Sequence, residues 1–121
     1  MKIEKIADKM VYSEETFTKR VLFSEKKVLN FVLNLKSGQE LPPHHHEDSD
    51  LTLLVIIGGG TLTVDGKDQK ITEGDVIYCV GEEEFSLKND TEDNLSCFVT
   101  LAPRPVPKIY ADEITKDSGP E

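Results

Sequence analysis

Much of what usually classifies a chain is missing from this one. No apolar run in its 121 residues approaches the roughly 20 that span a bilayer as a helix. The opening residues, MKIEKIADKM, mix acids among lysines and lack the basic stretch followed by an apolar one that marks a secretory leader. Together these absences predict a soluble, cytoplasmic protein. Cysteine is scarce: Cys79 and Cys97 stand apart, without the close pairing of a zinc ribbon or a redox dithiol, and read as small buried hydrophobes. Positive charge is in deficit, with 14 lysines and arginines against 23 acids and a formal net charge of −9. Such a surface repels phosphate backbones and anionic lipid, so neither nucleic acid nor membrane is an expected partner. Helical periodicity is absent from residues 16–102, and no segment repeats another.

What is present fits one domain of ordinary size, with 37% apolar residues for a core and 31% charged residues for a surface. Within residues 28–36, Leu29, Phe31, Leu33 and Leu35 alternate with Asn30, Asn34 and Lys36, the pattern of a half-buried strand. Residues 51–57, LTLLVII, are apolar on both faces, so a strand there needs cover on both sides, for which a homodimer interface is one source. Asp65-Gly66 after the strand 61–64 signals a tight hairpin. Further strands are expected at 70–72, 76–80, 85–88 and 95–101. Counted from Phe17 there are about eight, the arrangement of an all-β sandwich or barrel. Pro103, Pro105 and Pro107 then end the ladder. In the acidic tail 108–121, Ile109, Tyr110 and Ile114 are the only sizeable anchors, so it either crosses the barrel or frays.

Every histidine lies in three consecutive positions, His44, His45 and His46, after Pro42-Pro43 and before the most hydrophobic strand. If extended backbone has begun there, His44 and His46 share a face at about 6.6 Å spacing along the strand, near enough to converge on one cation, while His45 points away. Asp48 and Asp50 share that parity, and a carboxylate added to two imidazoles suits a first-row divalent metal such as Fe, Mn, Ni or Zn. The plain alternative is a polar turn carrying three solvated histidines.

The stretch 38–58 resembles the first motif of the cupin superfamily: glycine, five residues, histidine, one residue, histidine, three or four residues, glutamate, six residues, glycine. Gly38, His44 and His46 match in register. The resemblance continues through Gly58, Gly59, Gly60 and Asp65-Gly66 to Gly74-Asp75, where the second motif begins, and covers about residues 28–101 in strand order. It implies a single cupin domain over 1–121: an antiparallel jelly-roll barrel with its core at about 16–102 and a Pro-rich, acidic tail from 103. Two departures stand out. The family glutamate falls on Asp50 by the shorter spacing or Leu51 by the longer, and counting back from Gly58 selects Leu51. In the second motif, Gly74, Val80, Glu82, Phe85 and Asn89 occupy the family's glycine, proline, glycine, histidine and asparagine positions. Phe85 thus replaces a metal ligand.

Three functions are in competition. The first is a divalent metal held by His44, His46 and Asp50 or water, open to an oxygen-bearing ligand and suited to oxidation or isomerisation. Glu82, Glu83 and Glu84 lie near the gap left by Phe85, although three acids at a turn more often form a solvated edge. The second is a metal-independent module enclosing a small molecule in an apolar cavity, a reading that Phe85 and Leu51 favour. The third is a packed structural module that serves as a homodimer. Tyr78 and Cys79, just before the second-motif turn, are candidates for the cavity wall or for plain packing.

Overall fold

In a computed structural model, residues 1–105 and 112–115 are described. After a short 3-10 helix, Ile6–Lys9, nine strands follow: β1 Thr18–Glu25, β2 Val28–Leu35, β3 Glu40–His44, β4 Asp50–Ile57, β5 Gly59–Val64, β6 Lys67–Thr72, β7 Val76–Cys79, β8 Phe85–Lys88 and β9 Leu95–Ala102. They form two antiparallel sheets, one in the order β1-β2-β9-β4-β7 and the other β3-β8-β5-β6. The fold is therefore the all-β, two-sheet barrel that the alternation predicts.

Period-two patterning fills the space between the sheets. Leu29, Phe31, Leu33 and Leu35 of β2 lie opposite Leu101, Val99, Cys97 and Leu95 of β9, and all eight are buried. Leu51, Leu53 and Val55 of β4 join the same core. Both cysteines are buried and free, and burial pushes the Cys97 thiol up to about 12.

The outward face of β2 is not left to solvent. Val32 is fully buried there, and Asn34 donates to the Lys9 carbonyl and to Thr18 Oγ1 while accepting from Ser96 Oγ. Tyr12 hydrogen-bonds Ser96 as well, so the N-terminal segment is tied across this sheet by a satisfied polar cluster.

The Asp65-Gly66 hairpin joins β5 to β6 with φ of 48° and 82°, the two positive values a type I′ turn demands. One strand departs from expectation. Pro42 and Pro43 lie inside β3 rather than in a turn before a later strand, which raises the count from about eight to nine. Proline is tolerated there because β3 is the edge of its sheet, and the register with β8 is broken between Leu41 and His44.

Beyond Pro103, the described residues Glu113 and Ile114 lie against the barrel. Ile114 and Lys19 exchange backbone hydrogen bonds of 2.8 and 3.0 Å, and the Glu113 carboxylate accepts from the Val21 N–H. Ile114 packs against the core, whereas Ile109 and Tyr110 lie outside the described residues.

Candidate functional site

A cavity of about 540 Å³ lies between β1 and β2 of the larger sheet and β3 and β8 of the smaller. Phe17, Phe31, Leu33, Leu41, Phe85 and Ile114 make its wall largely apolar. His44, His46 and Lys19 bring polar atoms to it, with Thr16 and the exposed Glu40 also on the lining.

His44 ends β3, opposite Phe85 of β8. His46 follows in a turn, where its N–H donates to the Gly81 carbonyl and its own carbonyl accepts from Ser49 N–H. This turn, rather than a continuing strand, brings the second imidazole to the same side as the first. The two rings stand edge to face with centroids 4.8 Å apart. Phe85 packs on both, at 4.5 Å from His44 and 5.9 Å from His46. His45 points outward and stands 3.8 Å from the Glu47 carboxylate.

Burial keeps both cavity imidazoles neutral. It pushes His46 down to about 4, helped by the charge of Lys19 and by the mutual repulsion that protonating both His44 and His46 would bring, and it lowers His44 against the opposing pull of a hydrogen bond to Pro42. In neutral His44, the Nδ1–H donates to the Pro42 carbonyl at 2.9 Å, which leaves Nε2 as the lone-pair nitrogen.

Asp50 is not brought to this cavity. Its carboxylate accepts from Tyr78 O–H and from Gly81 N–H at 3.3 Å, on the outward side of β4 and β7. Strand alternation explains the separation: inward Leu51 occupies the core where the resemblance placed a family glutamate. Tyr78 is exposed on the outward face, and Cys79 is buried in the core away from the cavity lining. Glu82 and Glu84 are exposed, and Glu83 closes its own turn by accepting from Val80 N–H. None of the three acids lines the cavity.

These donors fall short of a resident metal's requirement. Catalytic sites of the zinc type take three protein ligands, whereas here two imidazoles meet a phenyl ring where the third would stand. Among the described residues, no group of three or more His, Cys, Asp or Glu side chains is placed to hold an ion.

Lys19 belongs to this site, and no motif announces it. It pairs with Leu33 on the inward face of β1, is only 9% exposed, and sets its ammonium 4.6 Å from the centre of the Phe31 ring. Burial lowers it to about 8, opposed by the charge of Asp112. The sequence does carry a signal for it: Phe17, Lys19 and Val21 share one parity, so a lysine stands at a core position of the first strand.

Fold and cavity together define a small barrel domain with a half-open, mainly apolar cavity. The family model for the cupin domain matches residues 31–101, and the chain belongs to the cupin family. No curated protein matches it by sequence. Among solved structures, the TT1209 protein of Thermus thermophilus superposes with a TM-score of 0.81 at 23% identity, covering 87% of this chain and all of that one. A conserved double-stranded β-helix protein of Klebsiella pneumoniae gives 0.81 at 18%, over 86% and 91% of the two chains. An RmlC-like cupin family protein of Methanocaldococcus jannaschii gives 0.68 at 28%, over 87% and 95%. At such identities the first two likenesses speak to the fold alone. No helix among the described residues is long and apolar enough to cross a membrane.

Proposed function

We propose that this cupin binds a small organic molecule in the cavity between β1, β2, β3 and β8, without needing a metal. The observation that carries this reading is the cavity itself: about 540 Å³ of largely apolar space into which a few polar groups converge. That volume is within the range of small-molecule sites, and an apolar wall with few polar groups is their usual make-up. His44 and His46 serve as neutral hydrogen-bonding groups. Saturation-transfer NMR with small neutral and charged aromatic and aliphatic probes tests it. Binding is expected in the native protein and lost in Ile114→Trp, which places an indole in the cavity wall. Equal signals from both proteins, or none from either, overturn the reading.

One observation favours a second reading, a weakly held divalent ion. The Nδ1–H of His44 donates to a backbone carbonyl, as ligating histidines commonly do, and leaves Nε2 available beside a second imidazole. Titration with Fe, Mn, Ni and Zn, beside a His44→Ala/His46→Ala variant, separates the two readings. Stoichiometric uptake that vanishes in the variant supports the ion, and equal uptake by both proteins removes it. Asp50 has no part in such a site, because its carboxylate is engaged on the opposite face of β4.

We also propose that a second copy covers the outward face of β4 and β7. Val76 and Tyr78 are 69% and 60% exposed on β7, an edge strand, Val80 just beyond it is 44% exposed, and Leu54 and Ile56 of β4 are half-buried. An exposed apolar edge with unpaired backbone groups is a ready surface for self-association.

A further inference from the structure

Resting on the cavity reading above, we infer that the molecule taken up is a neutral alcohol or phenol with an apolar body, its hydroxyl donating to Nε2 of His44 and its body lying against the phenylalanine wall. Nδ1 of His44 faces the Pro42 carbonyl at 2.9 Å, which sets the tautomer of the neutral ring with its proton on Nδ1. At the other end of the ring, Nε2 is a lone-pair acceptor that no donor among the described residues meets. The half-buried ring lies on the cavity lining, so this acceptor belongs to the ligand space.

Its direction is held from three sides. The Pro42 carbonyl holds the Nδ1 edge, His46 stands edge to face at 4.8 Å, and Phe85 lies tilted by 46° at 4.5 Å. Phe85 has no donor to offer Nε2, but it does place ring surface beside the acceptor. A guest hydroxyl at Nε2 thus has its carbon skeleton begin against Phe85, with Phe17 and Phe31 on the same cavity wall. An aromatic body carrying the hydroxyl directly fits that juxtaposition.

An acceptor in a largely apolar cavity selects among guests. A purely apolar molecule that takes the place of water at Nε2 leaves a polar atom without a partner, a desolvation cost that a hydroxyl recovers. A carboxylate brings only lone pairs to a lone pair, and it approaches past the exposed Glu40 on a chain of net charge −9. An ammonium can donate, but the charge of Lys19 that disfavours protonation of His44 disfavours any further cation in the same space. A neutral O–H group meets all three conditions.

NMR titration of the isotope-labelled native protein and of His44→Phe decides the matter, with para-methylphenol, para-fluorotoluene and phenylacetate as probes and a chelator present so that no ion competes for Nε2. The fluoro compound has nearly the shape of the phenol and lacks its donor, and His44→Phe keeps a flat ring beside Phe85 while removing both nitrogens. The native preference for the phenol over the fluoro compound is expected to exceed that of the variant by about tenfold, the scale of one hydrogen bond. The Nε2 resonance of His44 is expected to move with the phenol and to respond much less to the fluoro compound, a readout that holds even if the variant does not fold. An equal preference in both proteins, or an Nε2 resonance that the phenol leaves in place, overturns the role of His44 and leaves the cavity reading standing. Tighter binding of phenylacetate than of the phenol overturns the neutral class of ligand. Failure of all three probes to bind the native protein overturns this inference together with the cavity reading.

Discussion

His46 couples the cavity to pH. Its folded-state pKa of about 4 lies below the 6.5 of an exposed imidazole, so the unfolded chain takes up a proton at a higher pH than the folded one does. Stability from this group is complete above pH 6.5 and is lost as pH falls towards 4, to a total of about 3 kcal/mol. Urea midpoints measured from pH 7 to pH 4 are expected to fall across that window and to fall less in His46→Gln. An identical slope in both proteins would show that the imidazole is not buried neutral.

Phe85 sets the other limit at this scale. It lies against both cavity histidines, and its replacement by histidine would put a third imidazole beside them. Phe85→His is expected to tighten Zn or Ni binding by roughly tenfold or more, a scale on which even outer-sphere partners act. Loss of buried ring surface costs about 2 kcal/mol of stability. Calorimetric titration against the native protein checks it, and unchanged affinity would show that the three rings do not converge. Much of this was readable from the histidine register, because Gly38, His44, His46 and Phe85 could be counted against a spacing. Lys19 could not, since a single lysine in TKRVLF signals only by parity, and parity is informative only once the strand's start is known.

At the scale of elements, the turn that seats His46 depends on a residue far along the chain. A Cβ on Gly81 would stand 2.4 Å from the His46 carbonyl oxygen and 2.7 Å from those of Glu47 and Ser49. Backbone cannot yield to that without moving, so Gly81→Ala is expected to cost about 2 kcal/mol and to displace His46. The His46 ring resonances and the urea midpoint should both shift, whereas a change in neither would place the turn elsewhere.

Here the sequence was a partial guide. Strands β2 and β4 followed from alternation and from an unbroken apolar run, and the type I′ hairpin from Asp65-Gly66. Strand β3 was hidden because two prolines ordinarily mark a turn, and only its place at a sheet edge permits them. Asp50 parts from the histidines because the turn after His46 breaks the strand parity that grouped them.

For the whole molecule, the two edges of the five-stranded sheet differ. Strand β7 presents Val76 and Tyr78 outward, with Val80 exposed just past its end, and no neighbouring strand lies beyond it among the described residues. Sedimentation is expected to give twice the 13.5 kDa chain mass for the native protein, and a single chain for Val76→Glu/Val80→Glu. The same mass for both proteins would remove β7 from the interface.

At the far edge, the pairing of Ile114 with Lys19 works as a stopper. A sheet stopped on one side has one free valence, so the proposed second copy would satisfy it by two-fold pairing and growth would end there, with no continuing ribbon. Cutting the chain before residue 112 should restore the second valence. Light scattering should then show assemblies larger than a dimer, made of a barrel whose interior strands are unchanged.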